Sequence, residues 1–471
     1  MRPVDRLKRG ILIVGLVWLM AACQVSPRPE TTPDLSPLST PTQRATQSPR
    51  WPTETPAWSA AALHGVKVNL WHPWVGELEA TLSNLASQFN RENPWAIEVN
   101  VVSAGSSMVL ADWVEQGHPD DLVAQGVVAP SATLLTWHMR DGRMRLLNDW
   151  LNDGEWGLSE ARRAEIPLVF WQSDQVDGWQ IGLPALRSAN VLYYNLTWAA
   201  ELGFHAPPQA LEEWRAQACA AAAANRRDAD RTNDGTGGWL VATDPLTALA
   251  WLRAFGLRDE FDPAGGGWHF NQPTALEAWA FLRDLVDEGC AWVGREPTPY
   301  DYFAQRRALF YSGEVLDLVA QREAMQRNHS QDVWTVRPYP GKNKPLVLVS
   351  GLSYGILRST PEQELATWLF IRWLQAPQPQ AALVRAGGGY PMGPSTLAYL
   401  EDYRAENPQW GEALTFIPIA QIPPNTPTWR QAQWVVQDAF AQALQGTTPR
   451  TALPDILAEL DATLADVARG W

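Results

Sequence analysis

Cysteine and histidine are scarce in this 471-residue chain, three of one and seven of the other. They form no set with the spacing of a metal site, so neither a resident metal nor a cofactor is expected. Basic charge is short too: 37 Lys and Arg stand against 51 Asp and Glu, a formal charge of −14. A surface of that sign repels nucleic acid and anionic lipid headgroups, and beyond the N-terminal residues no basic cluster offsets it. A membrane-spanning run is missing as well. The apolar stretch 10–22 falls short of the ~20 residues needed to cross a bilayer.

What the N-terminus does contain is Arg2, Arg6, Lys8 and Arg9 ahead of that apolar stretch, the layout of a secretory signal. Leu19-Met20-Ala21-Ala22-Cys23 resembles the bacterial lipobox, with Met20 where that motif favours Leu. The resemblance implies cleavage after Ala22 and diacylglycerol on Cys23; an ordinary signal peptide with an incidental cysteine is the alternative. Residues 1–22 are therefore expected to be a signal peptide. Residues 23–63 are expected to be a lipid-anchored tether, because they are crowded with Pro, Ser and Thr and hold too few large apolar side chains for a core. Removing residues 1–22, which carry four basic side chains and one acidic, leaves the mature chain at −17. Membrane contact would then depend on the lipid, with more than one acyl chain.

Residues 64–471 are too many for one small core and suit two lobes. Residues 66–71 alternate apolar and polar as a half-buried strand does. Leu78, Leu82, Leu85 and Phe89 then put one apolar stripe on a helix over 77–92, which Asn93-Pro94 ends. Residues 97–101 form the next strand, so the three elements make a right-handed parallel crossover and an α/β fold. Further amphipathic helices are expected over 275–288, 361–374, 428–444 and 454–469, with a strand-like run at 346–349. Cys219 and Cys290 are either a disulfide or two buried thiols; the sequence leaves both open.

Several segments carry a family resemblance. Val68-Asn69-Leu70-Trp71-His72-Pro73-Trp74, Gly117-His118-Pro119-Asp120 and Gly182-Leu183-Pro184 come first, then Leu192-Tyr193-Tyr194-Asn195. Pro338-Tyr339-Pro340-Gly341 leads to the run 350–356, and Gly387-Gly388-Gly389-Tyr390-Pro391 precedes Pro424-Asn425-Thr426-Pro427 with Trp434. In this order, from about Val66 to the C-terminus, they resemble the family 1 extracellular solute-binding proteins, relatives of maltose-binding protein. The resemblance implies a type II periplasmic-binding-protein-like fold of two mixed-sheet α/β lobes. Lobe 1 would hold 64–187 plus 346–390 and lobe 2 would hold 188–345 plus 391–471. Crossings near 184–192, 344–352 and 387–395 would form the hinge, with the ligand between the lobes.

Candidate ligand-binding residues follow. Trp74 and Glu77, in the loop after the first strand, offer an aromatic face for a sugar ring and a carboxylate for its hydroxyls. Trp71 belongs to the core by its alternation, and Trp74 is open between packing and stacking. Asp120 is either a hydroxyl acceptor or a turn cap. Tyr311-Ser312-Gly313 resembles the family loop that lines the second wall, but Glu314-Val315-Leu316 stands where the relatives of maltose-binding protein often carry a sugar-stacking Trp. That leaves another sugar, a polyol or a cationic solute. Tyr390 and Trp429 complete the set.

Two motifs point elsewhere. Gly351-Leu352-Ser353-Tyr354-Gly355 matches a hydrolase nucleophile elbow, yet the last histidine, His329, precedes the serine, so the acid and histidine cannot follow it in that fold's order. The run 228–235 resembles a calcium loop, but Val241 takes the place of its bidentate Glu. The expectation is therefore a non-enzymatic, exported, monomeric solute-binding lipoprotein of an ABC importer, held at the outer face of the cell membrane and delivering a sugar-like solute to the permease transmembrane subunits. A secreted carbohydrate-active hydrolase, or a lipoprotein presenting ligand to a membrane sensor, is the alternative.

Overall fold

The computed structural model describes residues 60–262 and 267–470. The signal peptide, Cys23 and the tether as far as residue 59 lie outside the described residues. Description begins with a short 3₁₀ turn, Ala60–Leu63, whose Leu63 is buried in the core.

One mixed sheet of eleven strands organises the chain. In chain order they are β1 (Lys67–His72), β2 (Glu98–Ser103), β3 (Gly126–Ala129), β4 (Met144–Arg145), β5 (Leu183–Asn195), β6 (Trp239–Leu240), β7 (Ala291–Trp292), β8 (Phe310–Glu314), β9 (Trp334–Arg337), β10 (Val347–Leu357) and β11 (Ala420–Gln421). The main path runs β7-β6-β8-β5-β10-β3-β1-β2, with β9 on β5 and both β4 and β11 on β10. β1 and β2 pair in parallel from Lys67↔Glu98 to His72↔Ser103, the crossover the sequence implies.

The two long strands, β5 and β10, sit mid-path and pair antiparallel, with a register shift at Leu352/Ser353. Gly351 precedes that shift at φ +112°, and a Cβ there would collide with the Leu186 carbonyl oxygen, so the close approach requires glycine. Every residue of β5 is buried. β3, β1 and β2 lie beyond β10, and β8, β6 and β7 lie beyond β5.

The helices that frame the site are α1 (Gly76–Glu92), α2 (Ser107–Gln116), α3 (Ser131–Asp141), α4 (Leu211–Arg227), α5 (Pro245–Ala254), α6 (Pro273–Asp287), α7 (Pro361–Leu374), α8 (Trp429–Leu444) and α9 (Leu453–Arg469). α1 forms because Leu82, Leu85 and Phe89 bury one stripe while Glu77 and Glu79 face the positive end of its dipole. Asn93 ends it: its amide donates to the Phe89 carbonyl, and its side-chain oxygen accepts the Ile97 N–H at 2.8 Å, turning the chain into β2. α2 and α3 enclose a small core with Trp71, Val127 and Ile181. On the other side, α4, α5, α6, α8 and α9 pack around Trp214, Trp239 and Trp251. The Trp214 and Trp251 ring centroids are 4.5 Å apart. Many of the tryptophans are therefore core residues. Cys219, on α4, and Cys290, just before β7, form a disulfide with Cα atoms 4.4 Å apart, which closes the choice the sequence left open. Among the described residues no helix is long and apolar enough to cross a membrane.

Candidate ligand cleft

A cavity of about 350 Å³ opens over the paired strands β5 and β10. One wall comes from residues 130–133 and Ser173, the other from Leu246, Glu314, Leu316, residues 422–425, Trp429 and Gln433, and the floor from Arg187 and residues 349–352. Its volume and mixed lining suit a small organic ligand.

The floor rests on a polar network. Arg187, on β5, donates to Asp174 Oδ2 at 2.6 Å, to Ser353 Oγ at 3.0 Å and to the Leu352 carbonyl at 3.1 Å. Ser131 and Ser353 both donate to Asp174 Oδ1 at 2.5 Å. The Asp174 and Arg187 side chains are 0% and 2% exposed, so each charge depends on the other for compensation.

The second wall carries one carboxylate. Glu314 ends β8 and caps the following turn: its side chain accepts the Asp317 N–H, while Asp317 accepts the Glu314 N–H at 2.8 Å. Ser350 on β10 donates to Glu314 Oε2 at 2.7 Å. The side chain meets the cavity but is otherwise enclosed by protein. That burial, with the neighbouring Asp317 and Asp244 charges, pushes its carboxyl up to about 7 against the opposing Ser350 and Ser188 hydrogen bonds.

Three polar contacts bridge the walls beside the cavity. Arg430, on α8, donates to Glu115, on α2, at 2.5 Å. Thr136, on α3, donates to the Pro427 carbonyl at 3.1 Å, and Asn425 donates to the Gln175 carbonyl at 2.9 Å. Burial raises the Glu115 carboxyl, but hydrogen bonds from Trp137 and Arg430 outweigh this and hold it below its ordinary value.

Of the residues singled out in the sequence, Trp429 lines the cavity, with its ring 5.5 Å from that of Trp268. The others are elsewhere. Trp74 is half-buried, 5.8 Å from the His72 ring, and Glu77 and Asp120 are exposed. Tyr311 and Ser312 are buried in β8, where Tyr311 stacks on Tyr193 at 4.3 Å and donates to Gln321 at 2.9 Å. Tyr390 is buried and donates to the Ala413 carbonyl at 3.1 Å. Sequence reasoning did not select Arg187, Asp174, Ser131, Glu314 or Ser350 as binding residues. Arg187 alone gave a local signal, a charge inside an apolar strand. Ser353 stands within β10, bonded to Asp174 and Arg187, and not on a strand-to-helix elbow. In the run 228–235, Asp228 and Asp230 accept the N–H groups of Asp230 and Thr232 at 2.8 and 2.9 Å, so the loop uses these oxygens itself.

A cavity walled from both sides of two paired strands, with a charge-balanced polar floor, defines a cleft-type ligand binder. The family model described as bacterial extracellular solute-binding protein matches residues 84–415, and the chain belongs to that family. The sn-glycerol-3-phosphate-binding periplasmic protein UgpB of Pectobacterium atrosepticum is 24% identical over 358 residues, covering 72% of this chain and 76% of that protein. Two solved structures share the fold. UgpB from Mycobacterium tuberculosis, in complex with glycerophosphocholine, has 16% identity and a TM-score of 0.70 over 86% of this chain and 98% of its own. The sugar-binding protein MalE from Xanthomonas citri has 18% identity and a TM-score of 0.69 over 85% and 97%.

Proposed function

We propose that this protein captures a small carbohydrate or related solute outside the cytoplasm and delivers it to the transmembrane subunits of an ABC importer. The observation that carries this reading is the cavity over the β5–β10 pair, lined from both sides. A ligand stabilises a closed arrangement only through contacts that the open one lacks, so a closing cleft needs binding groups on both walls. The two walls belong to lobe 1 (64–187 plus 346–390) and lobe 2 (188–345 plus 391–471). The family membership and the sugar named for the MalE relative support a carbohydrate-like ligand.

The chain acts by binding and not by catalysis. Glu314 is the one carboxylic acid among the described residues lining the cavity, whereas a glycosidase needs a pair flanking the bond. Trp74, Glu77, Asp120, Tyr311, Ser312 and Tyr390 join Trp429 as candidate contacts in other ligand-bound arrangements of the cleft. Cys23 carries the lipid that holds the monomer at the outer face of the membrane, and residues 24–59 are its tether, shorter than the 23–63 expected because Leu63 packs into the core.

A thermal-shift screen of the purified protein against sugars, polyols and amines tests the reading. One class is expected to raise the midpoint by several degrees while the ligand is recovered intact. Release of free sugar from an oligosaccharide would instead mark a hydrolase.

A further inference from the structure

The charges facing the cavity discriminate among solutes more sharply than its size. Arg187 and Glu314 are the ionisable side chains among the described lining residues. Most of the Arg187 guanidinium is committed: three of its five N–H donors go to Asp174, Ser353 and Leu352, and its Nε is sealed from solvent, which leaves one Nη1–H toward the cavity on a cation already neutralised by Asp174. The buried pair with Asp174 carries no net charge. Glu314 has no such cation. Its partners are the Ser350 and Ser188 hydroxyls and the Asp317 backbone, all neutral, and the charges that act on it are those of Asp317 and Asp244, both negative. α3 opens its N-terminus on the same space without a side-chain cap, which by itself would favour an anion. Ser131 in that first turn, however, already binds the Asp174 carboxylate.

We infer that Glu314 is the specificity-determining residue of the cleft, accepting an O–H or N–H from a neutral or cationic solute and rejecting phosphate esters. This rests on the proposed solute-binding role and narrows its ligand class. It also separates this chain from the UgpB relative, which is named for sn-glycerol 3-phosphate. The competing role for Glu314 is structural, since it caps the turn at Val315–Asp317. Glutamine keeps one carbonyl acceptor for the turn and replaces the other oxygen by an NH2, to which the Ser350 hydroxyl can rotate as acceptor, so Glu314→Gln removes the charge with the shape retained, and a variant that remains folded separates the two roles.

The test is calorimetric titration at pH 8, above the Glu314 value of about 7, of the intact protein and of Glu314→Gln. Maltose and ribitol serve as neutral probes, glucosamine as the cationic probe, and sn-glycerol 3-phosphate and glucose 6-phosphate as anionic probes. At least one neutral or cationic probe is expected to bind ~100-fold more tightly than either phosphate ester, since a charge in a water-poor cleft repels strongly. In Glu314→Gln that probe should weaken about tenfold, the difference between a charged and an uncharged acceptor, and the gap to the esters should narrow. The neutral and cationic arms tell an O–H donor from an N–H donor. A phosphate ester that binds as tightly as the best other probe overturns the inference and leaves solute binding standing. So does a discrimination ratio unchanged in Glu314→Gln. Failure of every probe to bind, in a protein with a normal unfolding transition, overturns the solute-binding reading and the inference with it.

Discussion

Glu314 couples the cleft to pH. Burial and the Asp317 and Asp244 charges hold its carboxyl at about 7, while the same group in the unfolded chain titrates near 4.5. Between those values the folded protein keeps a proton that the unfolded chain has released. Stability from this group is therefore fully present below about pH 4.5 and is lost as pH rises toward 7. Glu314→Gln carries no such charge, so it is predicted to exceed the parent in stability by about 1–3 kcal/mol at pH 8 and to match it near pH 4. Urea denaturation at the two pH values checks this; an equal difference at both would mean that the charge is not the cause. The sequence marked this position only as a departure, Glu314-Val315-Leu316 in place of a stacking Trp after Tyr311-Ser312-Gly313, and did not single out Glu314 as a binding residue. Its partners were not marked at all. Ser350 lies 36 residues away on another strand, and only the β5–β10 pairing brings the two walls together.

At the scale of elements, periodicity read the helices best. The helix expected over 361–374 has those bounds, and those expected over 275–288, 428–444 and 454–469 shift by one or two residues. A helix buries one stripe, so its own sequence records it. Strands were harder. β5 is buried along its whole length and has no alternation to detect, and β6 and β7 are two residues each, defined by their neighbours and not by local pattern. The contact between Arg430 on α8 and Glu115 on α2 is 315 residues apart in sequence and had no local trace. It bridges the two walls while leaving the cavity lining untouched. Because both side chains are about a quarter exposed, the pair contributes modestly, and Arg430→Ala is predicted to weaken solute binding about 3–10-fold by favouring the open arrangement. The loss should fall mainly on the off-rate, with the preference among solutes unchanged. Stopped-flow displacement measures it, and a changed preference would place Arg430 in the binding site itself.

For the molecule as a whole, the fold was readable from the order of its segments more than from any one of them. The strand–helix–strand start and the crossings expected near 184–192 and 344–352 fall on β1, β2, β5 and β10 of one mixed sheet, whereas 387–395 forms no strand and meets β5 only through the Tyr390–Arg187 bridge. The site was less readable, because its polar network is assembled from Ser131, Asp174, Arg187 and Ser353, four positions spread over 222 residues of sequence and joined only by folding. Arg187 and Ser353 of that network lie on β5 and β10, the paired strands between the walls, which makes these strands the hinge of the proposed closure.

Small-angle X-ray scattering of the purified protein, with and without a saturating amount of the solute that gives the largest thermal shift, tests the two-walled capture most directly. The radius of gyration is expected to contract on loading, to the value calculated from this structure with its Arg430–Glu115, Thr136–Pro427 and Asn425–Gln175 contacts made. Identical scattering curves in the two states would contradict capture by closure.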